Sequence, residues 1–168
     1  MSKRTSAGLL LYRRTEGNVL EVLIVHMGGP FWAEKDAHAW SIPKGEYFDG
    51  ESAFDAARRE FEEELGSPAP VAAIIELGEI EQPSGKVVTV FATEGDFAAD
   101  SATSNTFEME WPMGSGTVSS YPEADKAEWF DIPTAREKLL EGQAGFLDRL
   151  VRSLQELGVE VRYRKKAS

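Results

Sequence analysis

The chain has 168 residues and a formal net charge of −11, from 18 Lys and Arg against 29 Asp and Glu. This length predicts a single domain over residues 1–168, and 42% apolar residues suffice for a core, which excludes a disordered chain. The acidic balance argues against binding to long nucleic acids. The absence of cysteine excludes disulfides, thiolate catalysis and cysteine-based zinc sites. Neither a membrane span nor a secretion signal is recognisable, so we expect a cytoplasmic protein without a membrane partner.

Two short apolar segments open the chain, at 7–12 and 19–25. Turn-forming residues at 15–18 separate them, so they are predicted to be strands joined in a hairpin. The segment 26–44 contains Gly and Pro and is predicted to be a loop, although it is rich in aromatic residues.

The segment 52–65 has apolar residues at helical spacing and is predicted to be a helix. Ser52 is suited to its N-cap and Gly66 to its end. Two further strands are expected at 71–80 and 87–93, with a Pro-Ser-Gly turn between them.

The remainder begins with a long polar connection at 95–121, a length typical of a loop that binds something or is disordered. A short strand at 128–132 and helices at 134–141 and 145–157 follow, and basic residues dominate 162–166. Strands that alternate irregularly with helices predict an α+β or α/β fold with a mixed sheet.

Three carboxylates lie together on one face of the predicted helix 52–65. At about 100° per residue, Glu60, Glu63 and Glu64 fall within a sector roughly 100° wide, whereas Glu62 points elsewhere. Such a group is either a solvated acidic face or a set of hard oxygen ligands for Mg²⁺ or Mn²⁺. Like charges at these spacings repel each other, but such triplets are common on solvated helices, so the three carboxylates alone leave both alternatives open.

The wider pattern around these carboxylates resembles the signature of the Nudix hydrolase family. The resemblance is carried by Gly45, Glu51, Arg59, Glu60, Glu63, Glu64 and Gly66. It implies a mixed β-sheet between helices, an α/β/α sandwich in which the signature forms a loop–helix–loop. It also implies an enzyme that cleaves nucleoside diphosphate derivatives by water attack on phosphorus with divalent metal ions, Mg²⁺ or Mn²⁺.

The resemblance also implies individual roles. Glu60, Glu63 and Glu64 match the metal-binding glutamates, and Gly45 matches a glycine whose carbonyl is often a ligand. Arg59 matches an arginine that orients the signature glutamates, and Glu51 matches a supporting glutamate.

Family members often use one more glutamate from a later loop, for which Glu123 is the candidate and Glu108 and Glu110 are rivals. The general base is either Glu60 or Glu123.

The substrate is indicated by the segment Trp40–Gly45, which resembles the W-x-x-P-K-G entrance of diadenosine tetraphosphate hydrolases in this family. Lys44 either binds a substrate phosphate or is an exposed loop lysine. Trp40, Trp32 and Phe31 either stack on a base or pack against the sheet. His38 either contacts phosphate or is merely exposed.

Three functions remain open at this level. The first is hydrolysis of a dinucleoside polyphosphate. The second is hydrolysis of another substrate of the family, such as a nucleoside triphosphate, a capped RNA end or a diphosphoinositol phosphate. The third is non-catalytic nucleotide binding by a regulatory domain. The expected partner is a phosphorylated small molecule, bound by a monomer or a homodimer.

Overall fold

The computed structural model describes residues 5–70 and 72–163. Its strands are β1 (Thr5–Arg14), β2 (Leu20–Met27), β3 (Trp40–Ser41), β4 (Lys44–Glu46), β5 (Ile74–Glu81), β6 (Val87–Glu94), β7 (Thr106–Glu110), β8 (Val118–Pro122) and β9 (Ala124–Asp131). Its helices are α1 (Ala53–Leu65), α2 (Ile132–Lys138) and α3 (Ala144–Glu156). Within the described ranges, no helix combines the length and the apolar character that crossing a bilayer requires.

Seven of these strands form one mixed sheet. The main path runs β3-β2-β1-β6-β5, with β4 added beside β1 and β9 added beside β2. The central pair β1 and β6 is parallel over Thr5–Tyr12, and the other pairings are antiparallel. The predicted mixed sheet is therefore confirmed.

The predicted hairpin between β1 and β2 is also confirmed, but the two strands then separate. They pair only over Leu11–Arg14 and Leu20–Leu23. Beyond that point β4 pairs with Ser6–Gly8 of β1, and β3 pairs with the end of β2. The segment 40–46, predicted to be part of a loop, thus fills the gap and is held on both sides by strands.

Alternation along the strands divides the core into two layers. Ala7, Leu9 and Leu11 of β1 pack with the apolar face of α1. Leu10 and Tyr12 point the other way, to the layer that contains α2 and α3. The result is the α/β/α sandwich implied by the family resemblance.

The connection 95–121, predicted to be a long loop, instead contains a two-stranded ribbon. β7 and β8 pair only with each other, with Phe107 opposite Tyr121 in the register. Most of their residues are exposed or half-buried, so neither strand has the buried face that would mark it in the sequence. The prediction of a structureless loop was therefore wrong.

Other boundaries differ by a few residues. β9 begins at Ala124 instead of 128, and α2 begins at Ile132, where the Asp131 side chain accepts a hydrogen bond from the backbone N–H of Thr134. Pro133 lies in the first turn of α2, a position that suits proline. Val71 and most of the basic segment 162–166 lie outside the described residues.

Candidate active site

Helix α1 begins and ends as its sequence predicts. The Ser52 side chain accepts a hydrogen bond from the backbone N–H of Asp55, and Gly66 adopts a left-handed φ of 82° that ends the helix. Its buried residues are Ala56, Ala57, Phe61 and Leu65. Glu60, Glu63 and Glu64 are half-buried at the margin of this face, whereas Glu62 is exposed.

Gly45 lies directly against the carboxylate of Glu60. A Cβ atom built on Gly45 would be 2.1 Å from Cδ of Glu60 and 2.2 Å from one of its oxygens. Only glycine therefore allows β4 to come this close to α1. The structure brings together two residues that are fifteen positions apart in the chain.

Arg59 connects three carboxylates. Its Nε and Nη2 atoms donate to the two oxygens of Glu51 at 2.9 and 3.0 Å, and Nη1 donates to Glu60 at 2.8 Å and Glu63 at 3.2 Å. The hydrogen bonds from Arg59 lower the pKa of Glu51. These contacts are those expected of an arginine that orients the signature glutamates.

Glu64 is the most strongly perturbed carboxyl group of the site. Burial, together with the negative charges of Glu60 and Glu123, raises its pKa to about 8. The ammonium group and the backbone N–H of Lys44 act in the opposite direction. Lys44 is half-buried beside Glu64 and is not a freely exposed loop residue. Its burial lowers the pKa of its ammonium group.

Glu123 joins this group from the far side. It precedes β9, and partial burial together with the charge of Glu63 raises its pKa. Burial followed by the charge of Glu63 also raises the pKa of Glu60. We call Glu60, Glu63, Glu64 and Glu123 the acidic cluster. The rival Glu110 accepts a hydrogen bond from the backbone of Gly116 at the ribbon turn.

The acidic cluster has the donors that a divalent metal prefers, but they are not yet arranged around one point. In residues 5–70 and 72–163, no three His, Asp or Glu side chains stand close enough to hold an ion. Arg59 occupies the positions between Glu60 and Glu63. The chemistry fits Mg²⁺ or Mn²⁺, because carboxylate oxygens are the ligands that these ions prefer. Burial first, and neighbouring carboxylates second, raise the pKa of Glu60 and Glu123.

The aromatic candidates are placed differently from one another. Trp40 is 1% exposed and packs edge-on against His26 and Phe130 in the α2–α3 layer, so it has no free face for a base. Packing, one of the two alternatives for Trp40, is what the structure shows. Trp32 is half-buried, and Phe31, which contacts it, is 50% exposed.

His38 lies beside the end of α2. Its Nδ1 atom is 2.9 Å from the carbonyl oxygen of Leu139, and the side chain is 48% exposed. Within the described residues its polar contacts are with this segment, so the structure does not join His38 to the acidic cluster.

A second polar site was missed by the sequence analysis. A cavity of about 560 Å³ is lined by His26, Ala33, Glu34, Lys35, Asp36, Trp40, Asp125, Lys126, Glu128 and Lys138. We call it the lysine cavity. The Nζ atom of Lys35 is 3.3 Å from the centroid of Phe31, and that of Lys126 is 5.3 Å from the centroid of Trp40. Its residues come from segments that are distant in the chain, so no local sequence pattern predicts this cavity.

His26 closes one wall of the lysine cavity. Its Nδ1 atom is 2.7 Å from Asp125 and its Nε2 atom is 2.6 Å from the carbonyl oxygen of Lys35. The buried ring thereby ties the loop after β2 to the start of β9, close in the chain to Glu123.

Comparison with known proteins agrees with this geometry. The model of the NUDIX domain family matches residues 2–150. The chain belongs to the Nudix family, a family of pyrophosphohydrolases whose members typically use a divalent metal. No curated protein matches the chain.

Several solved structures share the fold. The NUDIX domain of Shewanella oneidensis NrtR complexed with ADP ribose has a TM-score of 0.63 and 14% identity, covering 92% of this chain and 90% of that one. A Caenorhabditis elegans Ap4A hydrolase binary complex has a TM-score of 0.57 and 18% identity, covering 91% and 98%. The Nudix hydrolase RenU of M. smegmatis has a TM-score of 0.55 and 21% identity, covering 95% and 91%.

Proposed function

We propose that this chain is a Mg²⁺-dependent hydrolase of a pyrophosphate bond in a nucleoside diphosphate derivative, with a dinucleoside polyphosphate such as diadenosine tetraphosphate as the first candidate substrate. Mn²⁺ is the expected substitute metal. The observation that carries the proposal is the acidic cluster beside Lys44, with Gly45 packed against Glu60.

The acidic cluster, with the backbone of Gly45, would hold the metal. Divalent ions bound there would neutralise the polyphosphate and lower the pKa of a water molecule. Lys44 supports phosphate binding, because its ammonium group is next to Glu64 and is only half-exposed to competing water.

Two carboxylates suit the role of general base. The raised pKa values of Glu60 and Glu123 bring them closer to neutral pH, where a base is both deprotonated and able to accept a proton. Arg59 limits Glu60 in this role, since it already donates to that carboxylate at 2.8 Å. Glu123 has no such donor in the described part of the chain, so we propose Glu123 as the base.

The lysine cavity supports binding of the rest of the nucleotide. Two of its residues, Asp125 and Lys126, follow Glu123 closely in the chain, so the cavity and the acidic cluster share the start of β9. Lysines on its walls suit phosphate groups, and the exposed ring of Phe31 suits a base.

A second substrate class is favoured by one of the similar structures. The NUDIX domain of Shewanella oneidensis NrtR is complexed with ADP ribose, a nucleoside diphosphate joined to a sugar. A purely binding function is less well supported here, because Glu60, Glu63 and Glu64 are all present and gathered at one site.

The test is a substrate panel with Mg²⁺ and with Mn²⁺. It contains dinucleoside polyphosphates of several lengths, nucleoside triphosphates, nucleotide sugars and triphosphorylated RNA, and chromatography of the products identifies the bond that is cleaved. We expect metal-dependent cleavage of a dinucleoside polyphosphate. Tight binding of one compound without turnover of any would support the regulatory alternative.

Glu64→Gln tests the acidic cluster, with Glu62→Gln as its matched control on the same helix. Loss of a metal-binding carboxylate is worth several kcal/mol, so activity should fall by about 10²-fold or more. Glu62 is exposed, and its variant should keep the wild-type rate. Near-full activity of Glu64→Gln would refute the assignment.

A further inference from the structure

The C-terminal end of α1 is capped by a segment that is distant in sequence. The last carbonyl groups of a helix have no partner within it. Here the backbone N–H of Asn105 donates to the carbonyl of Glu63 at 2.8 Å, and that of Thr103 donates to the carbonyl of Leu65 at 3.1 Å. A Cβ on Gly66 would be 2.6 Å from the carbonyl oxygen of Thr103, so the end of α1 and the segment at Thr103 are in close contact.

The same segment also holds the main chain at Glu123. The backbone N–H of Glu123 donates to the carbonyl of Asn105 at 2.9 Å. The next backbone N–H, that of Ala124, donates to the hydroxyl of Ser104 at 3.0 Å. The Ser104 hydroxyl in turn donates to the carbonyl of Asn105 at 2.8 Å. One residue, Asn105, therefore connects the backbone of Glu63 to that of Glu123.

Glu123 is held from its other side as well. Its carbonyl accepts a hydrogen bond from the backbone N–H of Gly28 at 3.0 Å, and a Cβ on Gly28 would be only 1.8 Å from the carbonyl oxygen of Pro122. Although Glu123 itself is exposed, its main chain is fixed between Gly28 and the 104–105 segment.

We propose that Ser104 is a positioning residue for Glu123, which sets the place of this carboxylate relative to Glu63 and Glu64. The proposal rests on the proposed function, since it gives Glu123 a part in metal binding or proton transfer. Ser104 is the residue whose side chain joins this backbone connection, and its single hydroxyl both donates and accepts. Without that hydroxyl, the N–H of Ala124 loses its acceptor, and only the backbone hydrogen bonds with Asn105 and Gly28 described above still hold the start of β9.

The experiment compares three substitutions at Ser104. Ser104→Thr keeps the hydroxyl, Ser104→Val has the shape of threonine without it, and Ser104→Ala removes it with least bulk. Loss of an outer-shell partner typically costs 10–100-fold, so we expect kcat to fall about tenfold in the Val and Ala variants and to be restored in the Thr variant. Ser101→Ala, an exposed hydroxyl in the same connection, is the control.

Two readouts separate positioning from general loss of structure. Binding of Mn²⁺ alone, followed by electron paramagnetic resonance, should weaken in Ser104→Ala and Ser104→Val but not in Ser101→Ala. In the Glu123→Gln background, Ser104→Ala should cause no further loss of kcat, because the side chain that it positions is already disabled. Thermal unfolding identifies any variant that fails to fold, and the Thr and Val pair then carries the comparison.

The outcomes are distinguishable. If the wild type neither binds Mn²⁺ nor cleaves any compound of the panel, the proposed function and the role of Ser104 both fall. If the wild type is active but the Val and Ala variants match Ser101→Ala, the role of Ser104 is overturned and the function stands. Equal losses in the presence and absence of Glu123 would overturn it too, because they would show a structural effect independent of that residue.

Discussion

The acidic cluster and the lysine cavity are built in opposite ways. Three of the four carboxylates lie within two turns of α1, and Arg59 of the same helix binds two of them. The lysine cavity takes its residues from β2, from the segment that ends with Trp40 of β3, from β9 and from α2. A site that one helix presents can be recognised from spacing, whereas a site shared by four segments exists only after folding.

The electrostatic balance of the two regions also differs. In the acidic cluster, burial first and neighbouring carboxylates second raise the pKa of Glu60 and Glu64, so a bound cation would favour their charged forms. In the lysine cavity, acidic side chains lie next to basic ones: Lys138 contacts Asp36, and His26 contacts Asp125. We expect the first region to govern the rate of chemistry and the second to govern substrate binding.

Among the substitutions that test this difference between the two regions, Gly45→Ala should have the largest effect on kcat. The new Cβ would collide with the carboxylate of Glu60, which is the far end of a flexible side chain and can move aside without unfolding the protein. Displacing one proposed metal ligand should lower kcat by about 10²-fold. The measurement is steady-state kinetics, with circular dichroism to check the fold.

Gly145→Ala is the control for Gly45→Ala. A Cβ there would be 3.0 Å from the Ile80 side chain, in the opposite layer and remote from the acidic cluster. If both alanine variants lost activity equally, the close approach of Gly45 to Glu60 would have no special part in catalysis.

The pH dependence of stability gives an effect of intermediate size. The folded-state pKa of Glu64, about 8, is above its ordinary value of 4.5, so between these values the folded protein binds more protons than the unfolded chain. The metal-free protein should therefore lose stability as pH rises from 5 to 8, measured by urea unfolding with a chelator present. Added Mg²⁺ should restore more stability at pH 8 than at pH 5.

Glu64→Gln sharpens this prediction, because glutamine does not titrate. Its stability should depend less on pH over the same range. A wild-type curve that rises across this range would contradict the raised pKa of Glu64.

Lys126→Gln should have the smallest effect, confined to binding. Loss of one partly solvated charge is worth about 0.5–1 kcal/mol, which corresponds to a two- to fivefold rise in KM with kcat unchanged. Arg152→Gln, an exposed basic residue on α3, is the control for net charge. A fall in kcat without a change in KM would reverse the roles assigned to the two regions.

The elements that sequence alone could predict are those with a strong local signal. Helix α1 has a repeating apolar face, a serine N-cap and a terminal glycine, and the structure confirms all three. The ribbon of β7 and β8 has no buried face, so its strands could not be distinguished from a polar loop. Trp40 illustrates the same limit, because an aromatic side chain suits a ligand site and a core equally well until its neighbours are known.

The amino-acid sequence by itself determined the family and the three carboxylates of α1, because each depends on residues close together in the chain, and the resemblance to that family implied the sandwich. Only the tertiary structure decided that Gly45 lies against Glu60, that Glu123 lies near Glu63, and that Ser104 and Asn105 hold the backbone at Glu123. It also formed the lysine cavity. The physical reason is that these contacts join segments from distant parts of the chain. Their geometry is set by packing and largely by backbone hydrogen bonds, which do not depend on a particular side chain.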